Sequence, residues 1–288
     1  MPTWPRPPSD PMRFAYNTNG LQNHRLDHAL GLLAETGYDG VALTLDHCHL
    51  DPLAPMLSKR ALMLRTQLAD LRLGSVVETG ARFLLDPRRK HEPTLVSPTQ
   101  AERDRRIEFL CEAIDVAHVL GSECVSFFAG IPHELSGAEA RAVLLDGIER
   151  LRDYARVREV VIALEPEPGM AIADLDEALA HLPADLPLAL DVGHCVVTQE
   201  RDPAEAVREF GARAATITVE DMRRGEHLHL PFAEGDLELA PVLQAVHEIS
   251  FGGLVCVELS RDSHRAHELV PATLAALRAA APSSPSPR

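Results

Sequence analysis

Short apolar runs alternate along the chain with longer segments in which apolar residues recur at helical spacing. The apolar runs predict strands at residues 12–16, 40–45, 75–77, 124–128, 160–164, 186–190, 215–219 and 254–257. The segments that follow them predict helices at about 24–36, 55–71, 99–120, 137–156, 174–181, 202–210, 239–249 and 264–279. Eight strand–helix repeats predict parallel strands and an α/β fold, a single (β/α)8 TIM barrel over residues 12–280. An open doubly wound sheet is disfavoured because no Gly-x-Gly-x-x-Gly turn follows the first strand.

The remaining segments limit the class of protein. We expect disordered tails at residues 1–11 and 281–288, both of which are rich in proline. No apolar run approaches the roughly 20 residues of a membrane-spanning helix, so we expect no membrane partner. The five cysteines form no Cys-x-x-Cys pair, which favours reduced thiols in a cytoplasmic protein.

The formal net charge of −15 argues against a nucleic-acid partner, because such binding depends largely on basic surface. It leaves room for a small anionic substrate held by a few local cations. Arg82, followed by Arg88, Arg89 and Lys90, offers such groups, although a run of charges is more often a solvated face. We take Arg82 as a candidate substrate-binding residue because a guanidinium suits phosphate and carboxylate.

Carboxylates stand where predicted strands end. Among them, Glu165, Asp191 and Glu258 end the fifth, sixth and eighth strands. Three histidines accompany these acids in the sequence: His194, His227 and His229. In a TIM barrel the carboxyl ends of the strands converge on the active site. Carboxylates and imidazoles together predict a site for a divalent metal ion, with Mn, Zn, Co, Fe and Mg all open. For any single acid, a helix cap or a surface ion pair is the alternative.

Three other predicted strand ends carry candidate substrate-binding residues. Asn17 ends the first strand, His47 follows the second, and Glu78 ends the third. The alternatives are a solvated loop for His47 and a turn cap for Glu78.

Five short motifs occur in a fixed order: Leu164-Glu165-Pro166, Leu190-Asp191-Val192-Gly193-His194, Glu220-Asp221-Met222, Ala233-Glu234-Gly235-Asp236 and Val257-Glu258-Leu259. In this the chain resembles the xylose-isomerase-like TIM-barrel superfamily over about residues 12–280. That superfamily contains sugar and sugar-phosphate isomerases, ketose 3-epimerases, inosose isomerases and dehydratases, and an apurinic endonuclease. Residues 16–21, 44–47 and 78–87 carry a narrower likeness to the EboE subgroup of metabolite-traffic proteins.

The resemblance implies that Glu165, Asp191 and Glu258 are metal ligands. The usual fourth ligand is a histidine at the end of strand seven, and this chain has Thr218 there, a poor ligand. His229, and after it His227, are the candidate substitutes. In the endonuclease branch the matching histidines, with that of the Asp-x-x-His motif, bind a further metal. In the epimerase branch this last histidine, here His194, contacts substrate.

The implied function is a metal-dependent isomerase or epimerase of a sugar, sugar phosphate or cyclitol, so the expected partner is a small polar polyol or carbonyl compound. A metal that holds a hydroxy-ketone acidifies the intervening C–H by stabilising an enediolate. Glu165 and Glu258, on opposite sides of Asp191, are the candidate catalytic acid–base pair. A metal-dependent lyase or dehydratase, a phosphodiester hydrolase and a non-catalytic metabolite-binding barrel are alternatives. A homodimer stays open.

Overall fold

The computed structural model describes residues 12–282, in which eight parallel strands close into a barrel. The strands are β1 Arg13–Asn17, β2 Gly40–Thr44, β3 Gly74–Glu78, β4 Val125–Phe128, β5 Ile162–Glu165, β6 Leu188–Asp191, β7 Ala214–Val219, β8 Asp221–Arg223, β9 Glu226–Leu230 and β10 Leu254–Val257. The order around the barrel is β1–β10–β7–β6–β5–β4–β3–β2, and β8 and β9 form a separate antiparallel hairpin. The predicted (β/α)8 TIM barrel is therefore confirmed.

The helices are α1 Leu26–Thr36, α2 Leu57–Leu71, α3 Gln100–Leu120, α4 Gly137–Val157, α5 Leu175–His181, α6 Val192–Thr198, α7 Pro203–Phe210, α8 Leu239–Glu248 and α9 Ala266–Ala280. Local chemistry sets their ends. In α3 the Thr99 hydroxyl accepts from the backbone of Glu102, whose carboxylate accepts in return from the backbone of Thr99. Such a capping box satisfies donors that the first turn leaves unpaired.

The barrel interior below the strand ends is filled mainly by small apolar side chains. The inner cluster consists of Ala15, Ala42, Val76, Cys124, Ala163, Ala189, Ala215, Leu254 and Cys256. Residues two apart on a strand point to the same face. Ala163, Ala189 and Cys256 therefore lie one layer below Glu165, Asp191 and Glu258. The polar residues at the strand ends thus rest on a mostly apolar layer, which also contains the buried hydroxyls of Ser126 and Thr216.

Two elements differ from the sequence-based expectation. The segment after strand seven, for which the sequence analysis predicted neither a strand nor a helix, forms the β8–β9 hairpin. Its Glu226–Leu230 strand alternates polar and apolar residues, a strand signal that its charge and histidines obscured. The short helix α6 was not expected either. Asp191 caps its N-terminus, because the Asp191 side chain accepts from the backbone N–H groups of Gly193 and His194.

Residues 1–11 and 283–288 lie outside the described part of the chain, so the proposed disordered tails stay predictions. Among residues 12–282, no helix has the length and apolar character needed to cross a bilayer.

Candidate active site

A cavity of about 410 Å³ opens at the carboxyl ends of the barrel strands, a volume typical of small-molecule sites. Its walls include eight predicted site residues: Asn17, Glu78, Arg82, Glu165, His194, His227, His229 and Glu258. Asp191 is buried directly behind them, with Oδ2 3.5 Å from His194 Nε2. His47 is not a lining residue; its imidazole is 58% exposed and pairs with Asp51. Its proposed contact with substrate stays a prediction.

Helix α6 fixes the orientation of Asp191 and His194. Asp191 Oδ1 accepts from the backbone N–H of Gly193 at 2.7 Å, whereas Oδ2 has no hydrogen-bond partner among the described residues. His194 Nδ1 lies 2.9 Å from the carbonyl oxygen of Pro166, so this nitrogen carries the proton and donates. In the neutral ring, Nε2 then keeps a free lone pair directed toward Asp191 and His227, as a metal-binding imidazole requires.

The hairpin brings its two histidines to the same site because residues two apart on β9 share a face. His227 Nε2 lies 3.2 Å from His194 Nε2. Burial, followed by the neighbouring imidazoles, lowers the pKa of His227 to about 3, so its ring is neutral near pH 7. His229 Nδ1 lies 3.6 Å from Glu220 Oε1, and its Nε2 lies 3.7 Å from Glu258 Oε1. The hairpin therefore closes one side of the carboxylate cluster with imidazoles.

Glu220 is a candidate metal ligand that the sequence analysis did not assign to the site. Its side chain is completely buried, and neither carboxylate oxygen has a hydrogen-bond partner among the described residues. Burial, and then the charge of Asp191, raise the pKa of Glu220 well above its ordinary value. A buried acid without partners is costly, so this position calls for a compensating cation or proton.

Gly193 makes room for Glu220. A Cβ atom on Gly193 would lie 2.5 Å from Glu220 Oε1 and 3.1 Å from Asp191 Oδ1. The glycine of the Asp-Val-Gly-His motif thus allows the two carboxylates to approach each other.

The buried groups fit a divalent cation. Two sets of three donors have their ligand atoms within 4.8 Å of one another, Glu165–Asp191–His194 and Asp191–Glu220–His229, and they share Asp191. Asp191 Oδ2, both Glu220 oxygens and His229 Nδ1 lack hydrogen-bond partners within residues 12–282. Carboxylates with imidazoles suit zinc, manganese, iron or cobalt. A cation beside Asp191 would satisfy these donor atoms together.

Three further acids that line the cavity also have pKa values raised above those of ordinary carboxyl groups. Burial, and then the charge of Asp191, raise the pKa of Glu165 well above its ordinary value. Burial, and then the charge of Glu258, raise the pKa of Glu78 to about 8. Burial raises the pKa of Glu167 to about 7. Glu78 and Glu167 are therefore poised to exchange protons near neutral pH.

Glu258 is oriented by two asparagines from the first βα connection. Asn19 Nδ2 donates to Glu258 Oε1 at 2.7 Å, and Asn17 Nδ2 donates to Oε2 at 3.3 Å. The side-chain oxygen Oδ1 of Asn17 accepts from the Thr44 hydroxyl. This bond fixes the side-chain amide of Asn17 with its NH2 group toward Glu258. Asn17 thus lies at the cavity, as predicted, and it also positions Glu258.

Several residues of the site had only weak signals in the sequence. Besides the buried Glu220, the residues that the sequence analysis did not assign to the site include Asn19, Lys90, Glu167 and Arg261, which line the cavity. Strand parity would have indicated Glu220, which stands two residues after Thr218 at the end of β7. The parallel register pairs Thr218 with Asp191, so Glu220 continues along the same line toward the cavity.

Comparison with known proteins agrees with the barrel fold. A model of the xylose isomerase-like TIM barrel family matches residues 30–280. The chain belongs to this family. An uncharacterized protein of Methanocaldococcus jannaschii is 23% identical over 215 residues, which cover 66% of this chain and 73% of that protein. The narrower likeness to the EboE subgroup stays a prediction.

Solved structures with the family fold superpose over nearly the whole chain. A D-allulose 3-epimerase from Methylomonas sp. has a TM-score of 0.72 at 18% identity, covering 93% of this chain and 98% of its own. The IOLI protein, solved with a bound zinc atom, has a TM-score of 0.74 at 17% identity, covering 96% and 100%. At these identities the likeness shows the shared fold.

We predict that Gly193→Ala weakens zinc binding by about tenfold or more, because the added methyl group displaces Glu220 from Asp191. Competition with a chromophoric chelator measures the affinity. Gly31→Ala, whose added Cβ would meet nothing within 4 Å, is the matched control and should bind like the wild type. Equal affinities for wild type and Gly193→Ala would contradict this placement of Glu220.

We predict that the metal-free protein loses stability as pH rises from about 7 to 8. This window lies above the range in which His91 and His227, whose pKa values fall to about 4 and about 3 on folding, make the opposite contribution. The Glu78 pKa rises from 4.5 to about 8 on folding, so in this window the folded state binds more protons than the unfolded state, and stability falls with pH. Each such carboxyl contributes about 1.4 kcal/mol per pH unit. Glu78→Gln should flatten the dependence of unfolding free energy on pH, measured by urea unfolding. Glu35→Gln, at an exposed position of α1, should leave it unchanged. Stability that rises over this range would be inconsistent with the buried acid cluster.

Proposed function

We propose that the protein is a metal-dependent isomerase or epimerase of a sugar or related polyol, which moves a proton at a carbon beside a carbonyl group. The observation that carries the proposal is one small cavity with Glu165 and Glu258 on its wall and imidazoles beside them, among which His227 has a lowered pKa. In the barrel order, β6 and β7 separate β5 from β10, so the two carboxyls flank Asp191 from opposite sides.

The residues that would hold the metal are Asp191, Glu220 and His229, with Glu165 and His194 completing the shared set. A bound divalent cation would polarise the substrate carbonyl and so increase the acidity of the neighbouring C–H bond. Glu258 and His227 stand at the edge of this set, 3.7 Å from His229 and 3.2 Å from His194. They are further candidates for contact with the metal or with substrate.

Glu165 and Glu258 are the proposed proton-transfer pair. A general base works best when its pKa lies near the operating pH, and burial moves Glu165 in that direction. Glu258 is held by Asn17 and Asn19, which gives its carboxylate a fixed direction. One carboxyl removes the proton from one face of the substrate, and the other returns it to the opposite face.

The activities of fold neighbours support this class of reaction. The superposed structure from Methylomonas is a D-allulose 3-epimerase, and IOLI binds zinc in the same fold. The net charge of −15 disfavours a nucleic-acid substrate, which would need a basic surface.

We predict that wild-type protein loaded with manganese or zinc introduces deuterium beside the carbonyl of a ketose in D2O. Glu165→Gln and Glu258→Gln should each lower epimerisation by about 10²–10⁴-fold. Each variant should still exchange the proton of one epimer, because the remaining carboxyl serves one face of the substrate. NMR of a panel of ketoses and keto-cyclitols follows both processes, and metal content is measured in the same samples.

The outcomes separate the candidate functions. Exchange with loss of water would identify the lyase alternative, in which the same carbanion expels a neighbouring hydroxyl. Absence of exchange by the metal-loaded wild type across the panel, or epimerisation that survives in both variants, would refute the proposed reaction.

A further inference from the structure

Three cations stand at the mouth of the cavity without acidic partners. Arg82, Lys90 and Arg261 line the cavity, and none has a carboxylate within ion-pair distance among residues 12–282. Arg88 and Arg89, from the same charged stretch, instead pair with Asp86, and Arg89 also pairs with Glu102. The structure therefore divides the charged stretch into two arginines that stabilise the surface and two cations that face the cavity.

The loop between β3 and α3 holds Arg82 and Lys90 side by side. The backbone N–H of His91 donates to the carbonyl of Arg82 at 2.5 Å, and His91 Nδ1 donates to the carbonyl of Gly80 at 2.7 Å. Burial lowers the pKa of His91 to about 4, so its ring is neutral and the assignment of a single proton to Nδ1 is consistent. These bonds close the loop at its neck and fix the backbone next to both cations.

Backbone conformation supports a built arrangement. Ala81 and His91 both have left-handed backbone, at φ 47° and 66°, which is unfavourable for residues other than glycine. They directly precede Arg82 and directly follow Lys90. Such conformations persist where surrounding contacts enforce them, and they cluster at ligand sites.

The cations repel one another in the absence of a ligand. Burial, and then the charges of Arg82 and Arg261 among others, lower the pKa of Lys90, and Glu167 and Glu258 offset this only in part. The carboxyls of Glu165 and Glu258 are half-buried in the cavity wall, whereas Lys90 and Arg261 are exposed and lie on its outer part. A ligand that suits both ends has uncharged oxygens at one end and an anion at the other.

We propose that Arg82, Lys90 and Arg261 bind the phosphate group of a phosphate monoester, whose carbonyl end reaches Glu165 and Glu258. This rests on the proposed function, because it assigns the substrate class of that reaction as a phosphorylated keto-sugar or keto-polyol. Three cations match the two negative charges of a phosphate better than the single charge of a carboxylate. Two of them are guanidinium groups, which bind such oxygens in pairs.

Calorimetric titration with inorganic phosphate tests the anion site by itself, with zinc-loaded and zinc-free protein. The test variant is Lys90→Gln/Arg261→Gln. The control is Lys59→Gln/Arg88→Gln, which removes one lysine and one arginine outside the cavity and so has the same net charge. We expect the test variant to bind phosphate at least about tenfold more weakly than the wild type and to keep its zinc affinity, and the control to match the wild type.

A second titration compares D-fructose 6-phosphate, D-fructose and D-glucuronate. The phosphate ester should bind at least about tenfold more tightly than the neutral sugar, and this preference should disappear in the test variant. Tighter binding of glucuronate than of the ester would overturn the assignment of a phosphate. Phosphate affinity that is unchanged in the test variant with and without zinc, or an equal loss in the control, would overturn the anion site. Zinc affinity is measured separately, so a failed anion site and a failed metal site give different results.

Discussion

The structure depends on how the carboxyl groups at the top of the barrel are compensated. Six acids crowd one small volume behind or along the cavity: Glu78, Glu165, Glu167, Asp191, Glu220 and Glu258. Like charges in a poorly hydrated site raise one another's pKa values, and burying them costs several kcal/mol each unless protons or cations balance them. The groups within ion-pair distance of Asp191 and Glu220 are imidazoles. A divalent cation would balance the acids and occupy the donor atoms that have no hydrogen-bond partner.

The barrel makes this crowding possible by separating packing from chemistry within each strand. Ala163 and Ala189, small residues of the inner layer, precede Glu165 and Asp191 by two positions and point the same way. Because most of the lower layer is apolar, it offers Glu165 only the Ser126 hydroxyl, at 3.5 Å, and the acids otherwise face one another and the cavity. The need for a proton or a cation thus follows from the burial of these acids beside one another.

The sequence predicted the barrel and the acids at the strand ends because both follow from short-range rules. Apolar runs mark buried parallel strands, and the end of each run marks the mouth of the barrel. It did not indicate the contribution of Glu220, because a Glu-Asp pair after a strand is typical of a solvated loop. Nor did it show that Arg82 faces the cavity and Arg88 does not. These distinctions depend on the path of a loop and on packing between distant segments, which residue types alone do not encode.

The replacement of the usual strand-seven histidine by Thr218 is consistent with the arrangement around it. Glu220 stands two residues farther toward the mouth on the same line, and Gly193 leaves the space that its carboxylate occupies. A ligand in that position moves the centre of the donor set toward the hairpin, where His229 contacts both Glu220 and Glu258. In the proposed metal site, Glu220 and His229 would therefore act where the family resemblance implies a histidine at the end of strand seven.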